Sequence, residues 1–263
     1  AQMKYGFLGC GNMGGALARA LRKSTADIVI TDRSGKAKQL AGELGICYDS
    51  AEKIAQSCDR IFLAVKPHMM AELLQPLQGI LQQRKPVLIT MAAGLQISRI
   101  EQLAGGPLPV IRIMPNTPVA VGEGMTQYCR NGLVSDETVH SFLEDMRFSG
   151  RLDELEERLM DAASALSGCG PAYMYIFMEA LADGAVACGI PRVKAMEYAA
   201  ATMAGAARMV LETGRHPGAL KDAVCSPGGS TIAGVRALEQ HGFRGAAMDC
   251  VAAAYEKNQQ LGK

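Results

Sequence analysis

Up to Met114 the apolar positions come in short, unbroken runs. "KYGFLG" (4–9), "DIVIT" (27–31), "RIFLAV" (60–65), "PVLITMA" (86–92) and "VIRIM" (110–114) are dominated by β-branched, aromatic and leucine side chains. Continuous runs of this length suit strands covered on both faces, as in a parallel sheet. Between them the period changes. "NMGGALARALRK" (12–23) and "KAKQLAGELG" (36–45) carry apolar residues at helical spacing, and Gly45 closes the second as a C-terminal cap. Strand and helix in alternation predict right-handed βαβ units. From about Arg151 the β-branched runs thin out and alanine and methionine become dense. "PAYMYIFMEALADGAVACG" (171–189), "RVKAMEYAAATMAGAARMVLETG" (192–214) and "FRGAAMDCVAAAYEKNQQ" (243–260) predict three long helices. Pro171 lies in the first turn of the first and Gly189 ends it. These helices carry small or apolar residues on more than one face. A domain of about 110 residues cannot bury that much apolar surface alone, so it is expected to pack on a second copy of itself.

Composition narrows the function classes. The chain has 263 residues, 49% of them hydrophobic, and a formal net charge of +1. A packed globule is expected and a nucleic-acid surface is not. No apolar run reaches the length of a membrane span. No leader peptide is expected before the first strand, and Ala1 and Gln2 read as a remnant of processing. The eight cysteines include no C-x-x-C pair, and no histidine stands three or four residues from another histidine or a cysteine. Reduced thiols, a cytoplasmic setting and no metal site are the expectations.

Two glycine loops carry the chemistry. Gly9-x-Gly11-x-x-Gly14 follows a strand and opens a helix, the context of a dinucleotide fingerprint. The expected fold class is therefore α/β, with a Rossmann-type NAD(P)-binding domain over residues 1–152. A C-terminal all-α domain over residues 153–263 would bind substrate and dimerise. Asp32, eighteen residues after Gly14, suits the ribose hydroxyl of NADH, whereas Arg33, Ser34 and Lys36 suit the 2′-phosphate of NADPH. NADPH is the expected cofactor and NADH the alternative. Ala64, Val65, Lys66 and Pro67 end one strand, and Ala92, Ala93 and Gly94 follow the next. Ligands of open α/β sheets bind at those carboxyl ends. Lys66 either faces the cofactor or is an ordinary exposed lysine. Asn116, between Pro115 and Pro118, either braces a loop or lines the pocket.

The second loop, "SPGGST" (226–231), lacks the lysine of a nucleotide P-loop. It suits a smaller anion such as a carboxylate on backbone N–H groups, with Ser230 and Thr231 capping the following helix. Thr231 is one of few polar groups there, which makes it a catalytic candidate. Oxidation of an alcohol needs a base, and residues 172–190 contain no lysine. A C=N bond can arrive already protonated, so its reduction needs mostly positioning.

Five blocks, "FLGCGNMG" (7–14), "FLAVKP" (62–67), "IRIMPNTP" (111–118), "SGCGPAY" (167–173) and "LKDAVCSPGGSTIAGVRALE" (220–239), resemble pyrroline-5-carboxylate reductases, in that family's order. The resemblance implies NAD(P)H-dependent reduction of 1-pyrroline-5-carboxylate to L-proline, the last step of proline biosynthesis. It implies that Leu8, Gly9, Cys10, Gly11, Asn12 and Met13 join Arg33, Ser34, Ala64–Pro67 and Ala92–Gly94 at the cofactor. It implies that Ser226, Gly228, Gly229 and Ser230 take the substrate carboxylate, that Val224 packs near the ring, and that Thr231 hydrogen-bonds the ring nitrogen. A homodimer, often assembled into a decamer, is implied as well. The chain departs from some relatives in having Cys169 for serine and Ala223 and Ala51 for asparagine. The alternatives are a β-hydroxyacid dehydrogenase and a non-enzymatic NAD(P) sensor.

Overall fold

The computed structural model describes residues 2–261; Ala1 lies outside them. The strands are β1 (Tyr5–Leu8), β2 (Ile28–Thr31), β3 (Cys47–Tyr48), β4 (Arg60–Leu63), β5 (Val87–Thr90), β6 (Val110–Met114), β7 (Gly124–Arg130) and β8 (Gly150–Glu154). The helices interleaved with them are α1 (Asn12–Arg22), α2 (Lys36–Leu44), α3 (Ala51–Ser57), α4 (Met70–Leu74), α5 (Gln78–Arg84), α6 (Ile97–Leu103) and α7 (Asp136–Asp145). The helices α8 (Met160–Ala163), α9 (Gly170–Ala187), α10 (Arg192–Thr213), α11 (Pro217–Val224), α12 (Ser230–Gln240) and α13 (Phe243–Leu261) follow.

The strands form one sheet in the order β3-β2-β1-β4-β5-β6-β7-β8. The first six are parallel; five of them, β1, β2, β4, β5 and β6, are the predicted apolar runs, and the short exposed β3 is an addition to them. The sheet continues past the predicted strands, where β7 runs antiparallel to β6 and β8 parallel to β7. Chain order reverses between β1 and β4, which opens a crevice at their carboxyl ends.

Successive strand residues point to opposite faces, and both faces are dry. Tyr5, Phe7, Ile28, Ile30, Phe62, Ile89 and Ile111 belong to one core layer. Leu8, Val29, Ile61, Leu63, Leu88 and Val110 belong to the other. This is why the sequence shows runs and no alternation. Phe7 and Phe62 are register partners, and their rings stack at 4.4 Å. One polar device sits in the first layer. Buried Arg60 donates to the Tyr5 hydroxyl at 2.8 Å and to Ser141 Oγ at 3.0 Å, and pairs with Asp145 at 3.4 Å. Burial, countered in part by Arg60, holds the Tyr5 hydroxyl well above its usual range.

All eight cysteines are free; Cys10, Cys58 and Cys129 are buried, while Cys47 and Cys188 are exposed. Burial pushes the Cys58 and Cys129 thiols up to about 11. Only about one in a thousand of each is thiolate near pH 8, so both should resist alkylation. Peptide mapping after brief exposure to an alkylating reagent should find label on Cys47 before either of them. Simultaneous labelling would contradict the burial.

The described residues divide into two compact units. The first runs to Cys169 and takes in the chain again from Ala254; the second is Gly170–Ala253. The second unit has a small core of its own, Ala182, Ala195 and Ala199, flanked by Ala185, Val186 and Ile190. Around it Ile176 is 71% exposed, Val193 80% and Tyr175 59%. Large apolar groups left in water in such number mark a surface built to be covered. Among the described residues no helix is long and apolar enough to cross a membrane.

Candidate functional site

The turn after β1 is shaped by what glycine permits. Gly9 sits at φ +105°, and a Cβ there would lie 2.5 Å from the Ala64 carbonyl oxygen. A Cβ on Gly14, in the first turn of α1, would lie 2.8 Å from Ala64 Cβ. Both glycines let β1 and α1 close on the end of β4. Gly11 differs. Its φ is −79°, and a Cβ there would meet nothing within 4 Å. It stands at the N-cap of α1 with no side chain capping the helix. Bare backbone at a positive helix end, with open space in front, fits a pyrophosphate.

Because β2, β1 and β4 are neighbours, three turns land side by side. They line one cleft of ≈470 Å³: Gly9, Cys10 and Gly11; Asp32, Arg33, Ser34 and Lys36; and Ala64, Val65 and Lys66. Asp32 is engaged locally. Its carboxylate accepts from Ser34 Oγ at 2.6 Å and from the Gly35 N–H at 3.1 Å. Arg33 pairs with Glu72 at 3.0 Å. Asn12 lines a neighbouring hollow of ≈340 Å³ with Cys10 and Gly11. Leu8, Met13, Pro67, Ala92, Ala93 and Gly94 line neither space; Leu8 lies in one core layer, and Met13 packs against the other.

Sequence reasoning missed the far wall of the cleft. Glu52 comes from α3, Met69 precedes α4, Glu72 and Leu73 come from α4, and Pro76 and Leu77 follow it. These short elements carry no local motif; only the fold brings them to the fingerprint. Asn116 is a brace. Its Oδ1 accepts from the Met125 N–H at 2.9 Å, and its Nδ2 donates to the Ser167 carbonyl at 3.0 Å.

The second loop stands in the second unit. Gly228 takes φ +70°, which favours glycine, and the Gly229 N–H donates to the Ser226 carbonyl at 3.1 Å. The predicted capping by Ser230 and Thr231 is not what forms. Gly229 is the N-cap of α12, no side chain caps it, and Ser230 and Thr231 are the first two helical residues. The turn closes one residue earlier than the capping pattern suggests. Helix-start N–H groups are consequently left without a side-chain acceptor. Val224, at the end of α11, is 65% exposed, and Ser226, Gly228, Ser230 and Thr231 are exposed too. His216 Nδ1 accepts from the Gly218 N–H at 3.0 Å as the cap of α11.

Comparison with known proteins decides the family. The chain is 40% identical to pyrroline-5-carboxylate reductase of Escherichia coli (strain K12), over 100% of its own length and 99% of the relative's. The chain belongs to the pyrroline-5-carboxylate reductase family. Residues 157–261 match the family model for pyrroline-5-carboxylate reductase dimerisation, and residues 4–94 match that for NADP oxidoreductases, coenzyme F420-dependent. A solved pyrroline-5-carboxylate reductase from Coxiella burnetii superposes with a TM-score of 0.93 at 30% identity, covering 100% of both chains. The Plasmodium falciparum pyrroline carboxylate reductase, solved with NADP bound, gives 0.86 at 33%, covering 100% of this chain and 99% of that one.

Proposed function

We propose that the protein reduces 1-pyrroline-5-carboxylate to L-proline with NAD(P)H, closing proline biosynthesis. The observation that carries this is the likeness over the whole chain, both glycine loops included, to a pyrroline-5-carboxylate reductase. The glycine turn fits the cofactor on its own evidence, since Gly11 leaves open the space a pyrophosphate needs. In this reading Gly9, Cys10 and Gly11, with Leu8, Asn12 and Met13 behind them, form the pyrophosphate turn. Arg33 and Ser34 take the adenosine ribose or its phosphate. Ala64–Pro67 and Ala92–Gly94 support the nicotinamide end. NADPH is favoured because Asp32 is already engaged by Ser34 and Gly35, while Arg33 is exposed and exchangeable.

When bound, the cofactor supplies a hydride. The protein's part is to hold the acceptor. Backbone N–H groups of the Ser226–Ser230 turn grip the carboxylate, those of Ser226, Gly228 and Ser230 being the donors because Pro227 has none and the Gly229 N–H is bonded to the Ser226 carbonyl, and Val224 packs against the ring. The new C–H bond forms at C5, and the electron pair of the C=N bond moves onto nitrogen. The Thr231 hydroxyl fixes that nitrogen by a hydrogen bond. No side-chain base is required, because the imine arrives protonated.

Residues 1–152 hold the cofactor in this scheme, and residues 153–263 hold the substrate and the partner subunit. The exposed apolar face of α9 and α10 supports a homodimer, and a decamer is the further assembly we expect. A cytoplasmic setting fits eight free thiols. The direct test is oxidation of NADPH and NADH with pyrroline-5-carboxylate, set against reduction of NAD(P)⁺ by a β-hydroxyacid. Turnover is expected in the first assay alone. Turnover only in the second would make the protein a hydroxyacid dehydrogenase.

A further inference from the structure

The nucleotide cleft carries a charge balance that its glycine turn does not explain. Three carboxylates, Asp32, Glu52 and Glu72, face three cations, Arg33, Lys36 and Lys66, around one space. Asp32 is engaged within its own turn by Ser34 and Gly35. Glu72 is placed differently. It reaches from α4 to a residue 39 positions earlier, and its Oε1 takes the Arg33 guanidinium at 3.0 Å. The two side chains are 67% and 69% exposed, so the pair is solvated and exchangeable.

A guanidinium has five N–H donors, but the Nη2 edge of Arg33 that Glu72 occupies is closed to a second oxyanion while the pair lasts. A 2′-phosphate seeking Arg33 meets it already held by a carboxylate. Once displaced, that carboxylate stays close to a group bearing nearly two negative charges. NADH has a hydroxyl at the same position and suffers neither effect. We propose that Glu72 is a specificity-determining residue: it competes with the 2′-phosphate of NADPH for Arg33 and so narrows the enzyme's preference for NADPH over NADH. The proposal rests on the reading of NAD(P)H as cofactor and Arg33 as the phosphate's partner.

The test is equilibrium titration of the whole protein with NADPH and with NADH, followed by the fluorescence of the bound reduced nicotinamide. Glu72→Gln should tighten NADPH about two- to fivefold, the range open to an exposed ion pair, and leave NADH almost unmoved. The gain should shrink as salt is raised from low to about 1 M, where the screening length falls to about 3 Å. In an Arg33→Gln background the same substitution should gain much less. Glu52→Gln removes a carboxylate that lines the same cleft and that forms no ion pair with Arg33 among the described residues. It should not reproduce the effect. An unchanged NADPH-to-NADH ratio in Glu72→Gln, or an equal shift in Glu52→Gln, would overturn the proposal while leaving the cofactor reading intact. Failure of the unaltered protein to bind either nucleotide would instead sink the cofactor reading beneath it.

Discussion

Gly9→Ala is expected to weaken cofactor binding by more than about a hundredfold, and Gly11→Ala to separate that loss from folding. Gly9 lies at φ +105°, a conformation costing an alanine about 1–3 kcal/mol. Its methyl would also meet the Ala64 carbonyl oxygen at 2.5 Å, and backbone at the end of β4 cannot step aside as a flexible side chain would. The strain adds to the overlap, and every tenfold in affinity is about 1.4 kcal/mol, so a shift of the whole turn accounts for two decades or more. Gly9→Ala should therefore lower the melting temperature as well. Gly11 has an ordinary φ and empty space where its Cβ would stand. Gly11→Ala should keep its stability within about 0.5 kcal/mol and lose affinity alone, because the methyl fills the place of the pyrophosphate. Calorimetric titration with NADPH beside thermal unfolding reads both quantities. Unchanged affinity in Gly11→Ala would mean that the phosphates lie elsewhere.

How far the sequence foretold this site depends on how local each cause is. The strands β1, β2, β4, β5 and β6 were visible because burial on both faces leaves unbroken apolar runs. The strand β7 was not. Its sequence "GMTQYCR" is half polar, yet Thr126 and Gln127 are buried. Gln127 tolerates burial because its amide donates to Ser167 Oγ at 2.9 Å, a partner forty residues away. Nothing beside Gln127 in the chain announces that bond. The start of β8 is similar. Gly150 stands so close to Gly124 that a Cβ would lie 2.2 Å from the Gly124 carbonyl oxygen, a constraint seen only once the strands are paired. Arg33 and Ser34 were legible from their place after the second strand. Glu72, which holds Arg33, was not, since a charge on a five-residue helix looks like any solvated surface group. The second loop was legible as a glycine-rich helix start but misread in its capping, because Gly229 takes the N-cap and leaves Ser230 and Thr231 inside the helix.

That shift by one residue gives Thr231 its expected effect. A threonine capping its own helix would spend its hydroxyl on a backbone N–H, and Thr231→Ala would then cost about 1 kcal/mol of stability. Thr231 makes no such cap; it is exposed in the first turn of α12. Among the described residues no hydrogen bond engages its hydroxyl, which in the proposed scheme serves the substrate nitrogen, so Thr231→Ala should leave unfolding within about 0.5 kcal/mol of the parent. Turnover should fall about ten- to a hundredfold, at or below the roughly hundred- to thousandfold lost with one oxyanion-hole donor, because the reduced nitrogen carries no net negative charge. KM for pyrroline-5-carboxylate should change much less, because in the proposed scheme the carboxylate is held by backbone N–H groups that the substitution leaves in place. Thr231→Ser, which keeps the hydroxyl, should recover most of the turnover, and Thr231→Val, which keeps the shape, should not. Steady-state kinetics of the three variants, beside their melting curves, read the split. Parental turnover in Thr231→Val would remove the hydroxyl from the mechanism, and a large loss of stability in Thr231→Ala would return the residue to a capping role.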